Sequence, residues 1–88
     1  MTIKVEIIGV EPPCQRCKKT KENADKVAKK LMAEGIDVQV TKLDVMAKET
    51  MDRFGLVRTP GLSINGTIKI MGKLPDPGVI ERLIRKEL

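Results

Sequence analysis

At 88 residues the chain has room for one domain and one core, because so short a chain cannot divide its buried surface between two units. Seventeen Lys and Arg against twelve Asp and Glu leave a net charge of +5 with the signs mixed along the chain, the pattern of a solvated surface, and only Arg16, Lys18, Lys19 and Lys21 gather. Phe54 is the sole aromatic in a composition that is 41% hydrophobic, so the core must be aliphatic and nucleobases have nothing to stack on, which argues against a nucleic-acid partner.

The start, MTIKVEIIGVEPP, has neither the basic nor the long apolar stretch of a signal peptide, and nowhere do about 18 apolar residues run together; a soluble, cytoplasmic protein off the membrane is expected. Ile3, Val5 and Ile7 alternate with Lys4 and Glu6 and run into Ile8, which predicts a first strand ended at Gly9. Pro12 and Pro13 keep the chain irregular beyond it. From Cys14 the apolar positions Cys17, Ala24, Val27, Ala28, Leu31 and Met32 recur at helical spacing up to Gly35, predicting a helix of about five turns.

Ile36, Val38 and Val40 alternate with Asp37, Gln39 and Thr41 as a second strand. Asp44 is then expected to cap a short helix carrying Met46, Ala47, Met51 and Phe54 up to Gly55, with Arg58, Thr59 and Pro60 in the loop beyond. Leu62 and Ile64 lead into Asn65-Gly66 and Ile68 and Ile70 lead out, the signature of a tight antiparallel hairpin. Asp76 caps and Pro77 opens a terminal helix whose apolar face is Val79, Ile80, Leu83 and Ile84. Met32, Met46, Met51 and Met71 read as aliphatic core filling.

The order is β-α-β-α-β-β-α. Strands joined by a helical crossover run parallel and a hairpin runs antiparallel, so the expected fold is a single α/β domain over residues 1–88, a four-stranded mixed sheet covered by helices. The loop after the first strand opens at that strand's C-terminal edge, where open α/β sheets place their sites.

That loop carries the only two cysteines, Cys14 and Cys17. A disulfide closed over two intervening residues constrains almost nothing, so a structural staple is the weakest reading. A closed zinc site needs about four N or S ligands, and the chain has no histidine. A soft ion such as Cu(I) can be held by two thiolates, which keeps a metal carrier as the rival reading. A redox pair needs one thiol ionised near neutral pH, which a helix N-terminus and a neighbouring cation favour. Cys14 at the helix start, with Arg16 to lower its pKa, is then the nucleophile, and Cys17 one turn further in resolves the mixed disulfide. Small copper-carrying domains also place C-x-x-C after a first strand, but they finish on a strand, and this chain finishes on a helix.

Pro13-Cys14-Gln15-Arg16-Cys17, the segment FGLVRTPGLSINGTIKIMGK from Phe54 to Lys73, and the terminal helix resemble the small thioredoxin-like, glutaredoxin-sized proteins of archaea and bacteria. The resemblance runs from Ile3 to Leu88. It implies a truncated thioredoxin fold and a thiol–disulfide oxidoreductase acting through Cys14 and Cys17 without a cofactor. It also implies a cis Pro60 facing the pair, a Thr59 backbone offered to a substrate strand, and a groove shaped by Pro13, Thr59 and Pro60. Protein disulfides as substrates, a thioredoxin reductase of flavin or iron–sulfur type as electron donor, and a monomeric state are implied by the same resemblance. Three features depart from the family pattern. Gln15-Arg16 replaces Gly-Pro or Pro-Tyr, and Met71-Gly72-Lys73 stands where glutaredoxins carry a glutathione-binding turn. Ile8 stands where thioredoxins bury an acid, leaving Glu6 and Glu11 as candidate proton acceptors. Lys18, Lys19 and Lys21 are either solvated helix charges or a guide for acidic partners.

Overall fold

The computed structural model describes residues 2–10 and 15–88. Strand β1 (Thr2–Gly9) leads to helix α1 (Gln15–Ala33), strand β2 (Asp37–Asp44), helix α2 (Lys48–Phe54), the hairpin β3 (Gly61–Ile64) and β4 (Thr67–Met71), and helix α3 (Pro77–Arg85). The sheet order is β2-β1-β3-β4, with β1 and β2 parallel and β3 antiparallel to both its neighbours. This is the α/β architecture the sequence pattern predicts, a four-stranded mixed sheet with three helices.

Alternation on β1 sends Ile3, Val5 and Ile7 to one face, and all three are fully buried. There they join Val38, Leu62 and Ile64 from the neighbouring strands, Ala24, Val27, Ala28 and Leu31 from α1, and Ile80 and Ile84 from α3. Helices α1 and α3 share this face and touch each other, with the buried Asn23 amide donating to the Pro75 carbonyl at 3.0 Å. On the opposite face the carboxylate of Glu6 receives both terminal nitrogens of Arg53 at 2.8 Å, which fastens α2 to the sheet. Ser63, fully buried on β3, donates to the same carboxylate at 3.2 Å. The hairpin turns at Asn65 and Gly66, with φ of 51° and 86°, both in the left-handed region that this dipeptide tolerates.

Several expectations need correction. Met32, Met46, Met51 and Met71 are exposed rather than core filling. Met32 lies one position off the seam made by Ala24, Val27, Ala28 and Leu31, Met46 sits in the turn after β2, and Met71 points outward from the edge strand β4. Val79 is likewise exposed, and Ile80 and Ile84 alone bury deeply from α3. Strand β2 continues past Thr41 to Asp44, because β1 offers it a parallel partner as far as Gly9. Asp44 therefore ends a strand and accepts the Met46 N–H in a tight turn, and α2 begins only at Lys48.

Candidate functional site

The end of β1 is shaped by a missing side chain. A Cβ on Gly9 would lie 2.8 Å from the Cys17 sulfur and 3.1 Å from the Cys17 Cβ, closer than any side chain tolerates, so glycine lets the first turns of α1 press onto the strand end. Cys17 is fully buried there. Its burial follows from its place on α1: with Thr20, Ala24, Val27, Ala28 and Leu31 it forms the inward stripe at three- and four-residue spacing.

Strand β3 brings the second part of the site. The antiparallel pairing of β1 with β3 ends at Ile8 and Gly61, so one step beyond that pair lie Gly9 on one strand and Pro60 on the other. Pro60 is buried, Thr59 is half-buried, and the peptide bond between them is cis. A Cβ on Gly61 would meet Val57 Cγ1 at 2.7 Å, which shows how closely the loop before Pro60 is folded against the start of β3. Of the residues expected at the site, Cys17, Thr59 and Pro60 thus stand at one end of the sheet. Pro13 and Cys14 lie outside the described residues, as does Glu11.

Arg16 takes part in a contact that the sequence does not announce. Its Nη2 donates to the carbonyl of Gly72 at 3.0 Å, just past β4. The Gly72 N–H donates in turn to the carbonyls of Pro60 at 3.0 Å and Arg58 at 3.1 Å. One residue therefore links the start of α1 to the loop that presents Thr59 and Pro60. Gly72 has a φ of +73°, so its identity is set by the backbone, and "turn glycine" is all that the sequence conveys.

A cleft of about 270 Å³ opens on the other side of Cys17, lined by Lys18, Lys21, Glu22, Asp25 and Lys42. Lys42 donates to the Val10 carbonyl at 3.2 Å, and Lys21 pairs with Asp25 at 2.9 Å. Lys42 enters the site because β2 runs on to Asp44, beyond the reach of its alternation. Glu6, a candidate proton acceptor, is not beside the cysteine: it faces α2, and the hydrogen bond from Arg53 holds its carboxyl below the usual carboxylate range despite partial burial. Ile8, at the position of the family's buried acid, is fully buried with its Cβ against the Gly61 position. Among the described residues no three His, Cys, Asp or Glu side chains gather as metal ligands, and none of the described helices is long and apolar enough to cross a membrane.

A mixed four-stranded sheet with a buried cysteine at the end of β1 and a cis-proline entering β3 defines a thioredoxin-like α/β protein. The sequence profile of the family described as Thioredoxin domain matches residues 1–85, and the chain belongs to that family. A thioredoxin of Methanothermobacter thermautotrophicus is 30% identical over 82 residues, covering 93% of this chain and 97% of the relative. A probable thioredoxin of Methanothermobacter marburgensis is 34% identical over 73 residues, 82% of this chain and 81% of its own. Among solved structures, the oxidised thioredoxin of Plasmodium falciparum superposes with a TM-score of 0.68 at 17% identity, over 97% of this chain and 80% of that one. A structure described as a malarial protein gives 0.71 at 21% identity, over 100% and 99% of the two chains. These two likenesses speak for the fold, and family membership supports thiol–disulfide oxidoreduction as the general role.

Proposed function

We propose that the protein is a dithiol–disulfide oxidoreductase in which Cys14 attacks and Cys17 resolves. The observation that carries this reading is the burial of Cys17 against Gly9, which lies with Pro60 one step beyond the last β1–β3 pair. A buried second thiol suits attack within the protein rather than attack on outside disulfides. In the first step the Cys14 thiolate attacks one sulfur of a substrate disulfide; an S–S bond forms to Cys14 and the other substrate sulfur leaves as a thiolate that takes up a proton. Cys17 then loses its proton and attacks the Cys14 sulfur, releasing the second substrate thiolate, which is protonated. Two electrons and two protons pass to the substrate, and the pair is left as a disulfide. A reductase of flavin or iron–sulfur type returns two electrons to it.

Thr59 and Pro60, with Pro13, form the groove that orients the substrate disulfide, and Arg16 favours the Cys14 thiolate by its charge. Substitution tests the order of events. Cys17→Ser accumulates stable mixed disulfides with partner proteins, seen as bands on non-reducing electrophoresis that vanish with reductant, because a serine hydroxyl cannot resolve them. Cys14→Ser accumulates far fewer. If neither variant traps a partner and both lose a tightly held Cu(I) ion, the pair is a metal clasp and the redox reading falls.

A further inference from the structure

Four features of the site lean toward one kind of substrate. The Arg16 guanidinium rests on the Gly72 carbonyl. The Arg58 side chain runs along the other side of the same glycine, its Cβ and Cδ lying 3.3 and 3.5 Å from where a Gly72 Cβ would stand. Gly72 itself is hydrogen-bonded to Pro60, so the Arg16 guanidinium and the Arg58 stem converge on the residue that braces the substrate loop. Both arginines are exposed, and neither pairs with a carboxylate among the described residues. Arg53 and Arg85, by contrast, are each engaged by glutamates.

The charge is also lopsided. Asp44 ends β2 on one side of β1 and is occupied by the Met46 N–H, whereas Arg58 and Gly72 stand on the β3–β4 side. A chain lying along the entry to β3 therefore passes Arg58 and Gly72 and not Asp44. Exposed lysines elsewhere are ordinary solvated charge, but Arg16 is held by its guanidinium on the Gly72 carbonyl and Arg58 by its stem along the same glycine, and a guanidinium matches a carboxylate in two parallel hydrogen bonds.

We infer that Arg16 and Arg58 make the protein selective for disulfides flanked by acidic residues, the occupant being an extended acidic polypeptide segment that bears the disulfide. This rests on the redox reading of the site and adds the class of substrate. Charges in water about 6 Å apart interact by about 0.7 kcal/mol, so a carboxylate near one arginine changes the rate about threefold and a pair of them up to about tenfold.

The test needs no reductase. Pre-reduced protein is mixed in a single turnover with peptides of one sequence whose disulfide is flanked by Glu, by Gln or by Lys. The expected order is Glu faster than Gln faster than Lys, with a Glu-to-Gln ratio of about three to ten in ~10 mM salt that collapses toward one in ~1 M salt, where the screening length is about 3 Å. Arg58→Gln and Arg16→Gln each lower that ratio, Arg58→Lys restores most of it, and Arg82→Gln, the same charge change on α3, leaves it intact. Equal rates for the Glu and Gln peptides, or an Arg82→Gln effect as large as that of Arg58→Gln, overturn the inference while the redox reading stands. Reduction of none of the peptides overturns the redox reading and the inference together.

Discussion

The two faces of the sheet are held by different forces. On the α1 and α3 side the buried cluster around Ile3, Val5 and Ile7 is aliphatic, and at the far end the same face closes on the Cys17 sulfur. On the α2 side the centre is a carboxylate, Glu6, shared by Arg53 and Ser63, with Ile8, Val57 and Gly61 packed nearer the site. The aliphatic face depends on area and volume, with the Lys30–Glu81 and Arg85–Glu34 pairs tying α1 to α3 at its exposed rim. The α2 face carries its ion pair at the centre, on a residue of the sheet itself. Both bear on the site, since the first seats Cys17 and the second anchors the helix from which the chain runs to Pro60.

The largest break in this contrast is a cavity on the aliphatic face. Ile7→Ala or Leu62→Ala, both fully buried, should cost about 2–5 kcal/mol in chemical unfolding, equally at pH 4.5 and pH 7. Gly9→Ala should cost about 1–3 kcal/mol, because the added methyl meets the Cys17 sulfur and α1 must shift. It should also slow release of a trapped mixed disulfide in single-turnover kinetics, which the Ile7 change does much less at matched stability. On the other face, Ser63→Ala removes one hydrogen bond to Glu6 and should cost about 1 kcal/mol at neutral pH.

The smallest effect sharpens the comparison most. Glu6 titrates lower in the folded protein than its ordinary value, so its stabilisation is complete above that ordinary value and is lost as pH falls through the folded one. Urea midpoints measured from pH 6 down to pH 3 should therefore fall more for the parent than for Glu6→Gln. Parallel curves would show that the α2 face is held by packing alone.

Much of this arrangement can be read along the chain. Alternation in β1, the seven-element order, the Asn65-Gly66 turn and Pro77 at the start of α3 all carry local signals, since strand, turn and first-turn preferences act over a few residues. Cys17 and Pro60 are legible as site residues only through a motif separated by some 43 positions, and their meeting depends on the β1–β3 register. The exposed methionines show the limit of composition: a flexible apolar side chain fits a core or a surface, and Met32 differs from Leu31 only by where the helix seam falls.

By itself the sequence determined the order and type of the elements, the aliphatic character of the core, and a C-x-x-C pair that follows the first strand in the chain, because each follows from periodicity or from neighbours in the chain. Only the tertiary structure decided that Gly9 yields its space to the Cys17 sulfur, that Glu6 serves Arg53 instead of a thiol, and that Arg16 and Arg58 converge on Gly72. Those contacts join residues from 8 to 56 positions apart, counting Gly9 with Cys17 and Arg16 with Gly72 as the extremes. No local preference encodes them, and they exist once strand pairing and helix packing have brought the partners within bonding distance.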